Sequence, residues 1–386
     1  MSVPRVPKRQ PFNFDTVHQA AGGPGYPIHT LERLEEVRKQ HRSLLATGTA
    51  QTDDLFGQKV YMTLGNKNGK RILVCKDSKG QKAILELSDQ DVIHVDTHSL
   101  ADLSKQDPIA VSREEGDAPH FRPEDYRSFE EMQRRSPFYL EVDWDMGYDS
   151  DTENPMKETR PWTSKWTKAW RSSDVRKRLL KTVKENASTM RRVTKIVCFG
   201  LSHILPDKNC DRFYIQHLAA SDIATILSAT QAKNPDDPND IEIFAQDPAY
   251  TATCKALLGE MSPPIKVVDF ATAEGLSLID ENTFIISLNT TASILEPAIQ
   301  IAGPSGPAGL LTHPWLENVE KTWANRWHEG RLPPKYYWGT DVEFEYKNKS
   351  KLVRLEDEKW FGVPGDVDGN GKYWEPVHAI ILFGEK

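Results

Sequence analysis

Ser202 and His203, a hydroxyl and an imidazole, stand directly behind a glycine at the end of an apolar run, Lys195-Ile-Val-Cys-Phe-Gly-Leu-Ser-His-Ile204. A serine hydroxyl attacks an activated ester only when a base or a polarised setting helps it, and His203, Tyr250 or a carboxylate such as Asp247 can supply that help. The other reading of Ser202 is a turn serine that hydrogen-bonds the backbone at the start of a helix. Asp247 and Tyr250 lie in Gln246-Asp-Pro-Ala-Tyr250, again just past a short apolar run, and Asn289 and His313 follow two further runs of the same kind. Gly200, Asp247, Asn289 and His313 are therefore the candidate substrate-binding positions beside the catalytic candidates Ser202, His203 and Tyr250.

Positioning these residues together is a task for a parallel sheet. The runs 195–199, 241–245, 266–270, 283–288 and 308–311 are short and apolar, and helical patterns separate them, among them the mostly apolar 211–227. Such alternation predicts an α/β, Rossmann-like parallel sheet with right-handed crossovers and helices on both faces. Ligands of these sheets bind outside the carboxyl ends of the strands, which is where the candidate residues collect.

Ahead of that series, a Pro- and Gly-rich arm (1–28) precedes a helix over 31–45 that Gly48 ends. Strand-like runs at 58–64, 71–75 and 81–87 follow, joined through Asn66-Lys-Asn-Gly and Asp77-Ser-Lys-Gly. They predict a small three-stranded antiparallel meander. The expected division is 1–110 (arm, helix, meander), 111–160 (polar acidic linker) and 161–386 (the Rossmann-like domain with an aromatic C-terminal extension). Six carboxylates between Glu141 and Glu153 are able to hold a divalent cation or a guanidinium, but read more simply as a solvated linker. Asp366-Val-Asp-Gly-Asn-Gly371 imitates the start of a calcium loop, yet its twelfth position is Val377, and the sequence is ordinary turn chemistry.

The net charge of -7 is unevenly spread. Twelve Lys and Arg against two acids between Arg160 and Lys195 give that stretch +10 and leave -17 for the remainder. A helix from Ser173 carries Val175, Leu179, Val183, Ala187 and Met190 as its apolar stripe. Arg176, Lys177, Arg178, Lys181 and Lys184 fall on its other faces, either as a solvated surface or as a phosphate-contacting one. Four cysteines without CxxC spacing suggest reduced thiols, and with no long apolar run or leader pattern a soluble, cytoplasmic protein is expected, with no membrane or DNA partner. No GxGxxG follows a strand and no Walker lysine motif is present, so no cofactor is expected, and no metal either.

Four segments in order, Lys195-Ile-Val-Cys-Phe-Gly-Leu-Ser, Tyr214-Ile-Gln-His-Leu-Ala-Ala220, Gln246-Asp-Pro-Ala-Tyr250 and Leu288-Asn289, resemble the fungal branch of the sensitivity-to-red-light-reduced (SRR-like) domain family over about residues 165–315. That resemblance implies a regulatory role without an agreed enzymatic site. The layout of Gly200-Leu-Ser202 beside a basic helix is also similar to that of tRNA-dependent cyclodipeptide synthases, of which fungi have an arginine-using group active in secondary metabolism. It implies an aminoacyltransferase in which Ser202 takes an aminoacyl group from charged tRNA. Asp247 or the 143–153 cluster would then hold an arginyl guanidinium, while Asp236-Asp-Pro-Asn-Asp240 departs from the Asp-Asp-x-x-Glu pattern of that group. The two readings to be distinguished are this transferase and a non-catalytic regulatory protein.

Overall fold

A computed structural model describes residue 20 and residues 27–97, 133, 136–144, 155–205, 211–232, 240–288, 294–312, 341–355 and 379–384. The chain divides into two compact units, Met1–Trp144 and Asp145–Lys386.

In the N-terminal unit, α1 (Leu31–Thr47) starts on Thr30, whose side chain accepts the Arg33 N–H, and stops at Gly48 with φ 76. A left-handed glycine there is the usual helix terminator, because only glycine adopts it without strain. The expected three-stranded meander has four strands: β1 (Thr49–Asp53), β2 (Lys59–Lys67), β3 (Lys70–Asp77) and β4 (Lys82–Leu87), paired in sequence order and antiparallel. The polar strand Thr49–Asp53 lacks an apolar alternation, and only its pairing with β2 makes it a strand. Asn68 and Gly69, both at positive φ, close the β2–β3 turn, the geometry a two-residue hairpin loop requires. A separate ribbon pairs β5 (Asp91–Thr97) with β6 (Phe138–Trp144). The segment read as a linker over 111–160 therefore contains a strand of this unit, and also the first residues of the next helix.

In the C-terminal unit the basic stretch 160–195 is two helices, α2 (Pro155–Ser172) and α3 (Asp174–Asn186), separated at Ser173, whose hydroxyl caps α3 by accepting the Arg176 N–H. There follow β7 (Lys195–Phe199), α4 (Asp211–Gln231), β8 (Glu242–Gln246), α5 (Ala252–Gly259), β9 (Ile265–Val267), α6 (Glu274–Ser277), β10 (Thr283–Ser287), α7 (Leu295–Ile301), β11 (Gly309–Thr312), α8 (Asp341–Asn348), β12 (Ser350–Leu355) and β13 (Ala379–Gly384). The sheet order is β12-β13-β11-β10-β7-β8-β9. Its five central-to-edge strands β11-β10-β7-β8-β9 are parallel, and β13 and β12 add an antiparallel flank. Counted along the chain, the parallel strands run 3-2-1-4-5, the doubly wound order, and the chain reverses its direction of winding between β7 and β10.

Every residue of β10 is buried, as are the last four of β7, which is what a strand covered on both faces needs. Helices α2, α3 and α4 pack with one another, and α7 packs with α6 and α8. Trp166, Trp170, Leu179, Val183, Ile223 and Leu227 join β7 and β8 in the core. Cys75, Cys198 and Cys254 are free buried thiols, as expected of small apolar side chains, and among the described residues no helix is long and apolar enough to cross a membrane.

Candidate functional site at the carboxyl edge of the sheet

The point where the winding reverses, the place at which such sheets bind ligands, lies past the carboxyl ends of β7 and β10. From β7 the chain turns through Gly200 at φ 65 and Ser202 at φ 64. A left-handed conformation costs a non-glycine residue about 1–2 kcal/mol, so Ser202 must be held there. Asp247 does the holding: its Oδ2 accepts the Ser202 N–H at 2.7 Å and its Oδ1 accepts the Ala249 N–H at 2.9 Å. Adjacent parallel strands with Phe199 opposite Gln246 bring these two turns side by side. Burial pushes the Asp247 carboxyl up from its ordinary value, and the two N–H donors pull it part of the way back.

Ser202 Oγ lies 3.4 Å from His203 Nδ1, a long approach for proton transfer. The His203 ring in turn sits 5.8 Å from that of Phe213 on α4. Tyr250 is at the same edge, but its hydroxyl points inward to His217 Nε2 at 2.7 Å. His217 Nδ1 is 2.7 Å from the Phe213 carbonyl, which only accepts. The proton of the neutral imidazole therefore sits on Nδ1, and Nε2 accepts the Tyr250 O–H. Burial pushes His217 down to about 4 and keeps it neutral. Burial, with the Asp247 carboxylate and the thiols of Cys198 and Cys254 nearby, pushes the Tyr250 phenol well up. Below the turn, the Ile204 N–H donates to Cys254 Sγ at 3.3 Å.

Ser202, His203, Gly200, Asp247 and Tyr250 thus share one edge, whereas Asn289 and His313 lie outside the described residues. So do nearly all of the 143–153 acidic cluster, Asp236 and its neighbours up to 239, and the 366–371 turn. His217 carries the inner hydrogen-bond network and was not among the expected residues. Its signal in the sequence is a single imidazole inside a mostly apolar helix.

On α3, Arg176 is committed to structure. It grips both oxygens of Asp222 at 2.7 and 2.9 Å, and the same carboxylate accepts the Trp170 indole N–H at 2.7 Å. Lys177 pairs with Asp174 and Lys181 with Glu185 along the helix surface. A surface groove of about 580 Å³ runs along α2, where Lys168 and Arg171 stand among the hydroxyls of Thr163, Thr167 and Tyr214.

The clasp makes a prediction about stability. Asp247→Ala leaves two N–H groups without their acceptor and is expected to cost about 2 kcal/mol, roughly 4–8 °C in the melting temperature of a unit this size. Ser202→Gly removes the left-handed strain and is expected to leave stability unchanged or raise it by about 1 kcal/mol. Thermal melts of both variants check the pair, and a Ser202→Gly variant less stable than wild type would mean that the hydroxyl itself holds the turn.

No curated protein matches the chain significantly. One solved structure, the MycE methyltransferase from the mycinamycin biosynthetic pathway in complex with Mg, SAH and mycinamycin VI, aligns over 96% of each chain, but at 9% identity and a TM-score of 0.24 it carries no argument. Residues 177–356 match the family model of the SRR1 domain, and the chain accordingly carries an SRR-like domain on the sheet whose carboxyl edge presents Ser202.

Proposed function

We propose that the SRR-like domain is a regulatory module that works by binding past the carboxyl ends of β7 and β10, without covalent chemistry. One observation carries this reading: two of the three groups that could activate Ser202, Asp247 and Tyr250, are already engaged in holding the edge together, and the third, His203, stands at a long 3.4 Å from its hydroxyl. Both oxygens of Asp247 accept backbone N–H groups, and the Tyr250 hydroxyl donates to a buried, neutral His217. What Ser202 and His203 then offer a ligand is a hydroxyl and an imidazole at the mouth of a doubly wound sheet, a polar recognition pair.

A second reading keeps its place because of Ser202 itself. A serine held at φ 64, where glycine would be unstrained, is the kind of outlier that marks a working side chain. In that reading Ser202 takes an aminoacyl group from charged tRNA, His203 assists, the product is a cyclic dipeptide, and Asp247 or the 143–153 cluster holds an arginyl guanidinium. The tRNA backbone would lie on the exposed lysines of α3 and on Lys168 and Arg171 of the α2 groove, with Arg176 excluded by its Asp222 clamp.

Intact-mass measurement separates the two. Incubated with a pool of aminoacyl-tRNAs, the full chain is expected to gain no aminoacyl mass, and wild type and Ser202→Ala should behave alike. An adduct on the wild type that Ser202→Ala lacks would overturn the regulatory reading. Binding of tRNA that weakens steeply with salt, by a slope of about one per phosphate contact, and that falls when Lys177, Arg178, Lys181 and Lys184 become alanine, would support the transferase.

A further inference from the structure

The two-stranded ribbon of the N-terminal unit has one face that is apolar for an evident reason. Alternation along β5 sends Ile93 and Val95 to the same side, and the register places Leu140 opposite Val95 and Val142 opposite Ile93. All four are buried, α1 packs against both strands, and the α1 imidazole of His41 lies 2.7 Å from the Ile93 carbonyl. The other face is polar. It carries His94 and Asp96 from β5 and, opposite them, Glu141 and Tyr139 from β6. Yet His94 is 4% exposed, Glu141 2% and Tyr139 7%.

We propose that His94, Asp96 and Glu141 form a binding site for one divalent transition-metal ion of the Zn²⁺ class. One donor atom from each of the three lies within 4.8 Å of the other two. Ligands sharing a zinc ion stand about 3–4 Å apart, given bonds of about 2.0–2.2 Å, so small side-chain rotations close the set. An imidazole and two carboxylates are a borderline-soft N/O donor set. It suits zinc, and manganese or iron after it, and suits magnesium and calcium poorly because those ions take oxygen alone. Two carboxylates and a doubly charged ion also cancel, which matters where water cannot screen them.

The flanking hydrogen bonds aim the carboxylates. The Thr97 N–H donates to Asp96 Oδ1 at 2.7 Å, and the Tyr139 hydroxyl donates to Glu141 Oε2 at 2.7 Å while lying 3.3 Å from Asp96 Oδ2. Groups that orient ligands in this way are worth about 10–100-fold in metal affinity. Burial, and Glu141 next to it, push the Asp96 carboxyl well above the ordinary range. Three protein ligands leave a coordination position for water.

The full-length chain, stripped with a chelator and dialysed, is to be titrated with Zn²⁺ by calorimetry, with metal content measured after desalting. One Zn²⁺ per chain is expected, together with a rise in melting temperature that Mg²⁺ does not produce. Glu141→Gln and His94→Asn should each weaken binding by at least 100-fold and abolish that rise, with circular dichroism checking that the variants remain folded. If either fails to fold, Tyr139→Phe, which keeps every ligand, must still weaken binding about tenfold. A wild type that retains no Zn²⁺, or variants that bind it as wild type does, would overturn the proposal.

Discussion

Truncating Phe284 to alanine is expected to cost the SRR-like domain about 3–5 kcal/mol, the range for a large aromatic removed from a packed interior. Phe284 is fully buried in β10, flanked by β7 and β11, with Ile196 and Gly309 as its partners in register. Its ring occupies the space a side chain on Gly309 would need: a Cβ there would stand 2.5 Å from two ring carbons and 3.2 Å from the Leu382 carbonyl oxygen. Gly309→Ala is therefore expected to cost about 1–3 kcal/mol by overpacking. Combining it with Phe284→Leu should cost less than the sum of the two single changes, because the smaller side chain makes room for the methyl. Urea unfolding of the four proteins measures the coupling. Strict additivity would show that the two residues do not compete for the same volume.

Acid should weaken the same domain through His217. Its imidazole titrates at about 4 in the fold against an ordinary 6.5, because burial disfavours the cation. Above pH 6.5 both folded and unfolded chains hold it neutral, and nothing is lost. As pH falls below 6.5 the unfolded chain takes a proton that the folded one refuses, so stability declines by up to about 1.4 kcal/mol per pH unit. The decline levels off near pH 4, after roughly 3 kcal/mol. Carboxylates contribute to any acid decline, so the comparison is with His217→Asn, whose stability should fall by roughly 3 kcal/mol less over that window whatever its value at pH 7. Parallel pH profiles for the two proteins would refute the assignment. Tyr250→Phe, which strips the donor from Nε2, is expected to cost about 1–3 kcal/mol at neutral pH.

Local chemistry made much of this architecture readable. Gly48 ended a helix where a left-handed residue was needed, Asn68-Gly69 turned a hairpin, and short apolar runs alternating with helices announced a parallel sheet. The neighbouring of β7 and β8 placed Asp247 beside Ser202, as two successive strands of such a sheet should. What escaped the sequence was non-local or masked by composition. Helix α2 hid behind Pro161 and its many hydroxyl and charged side chains, although Trp162, Trp166 and Trp170 at four-residue spacing mark its inward face. The pairing of β5 with β6 spans some forty residues of chain, so nothing local sets Glu141 opposite His94. The role of His217 depends on a tyrosine thirty-three positions away, and the capture of Arg176 depends on an aspartate forty-six away.

Strand β13 has a consequence for how the domain is made. It is the last of the seven strands in sequence, yet it lies inside the sheet, bonded to β11 on one side and to β12 on the other. It also falls beyond the 177–356 span of the SRR1 family match. During synthesis the parallel strands emerge first and can assemble around β7 and β10, but β11 keeps an open edge and β12 has no place to dock until residues 379–384 arrive. Long-range closures of this kind are slow, and unpaired edges are where a nascent chain aggregates. A released chain truncated between residues 356 and 378 should therefore be open to protease at β12, and one that includes β13 should be protected there.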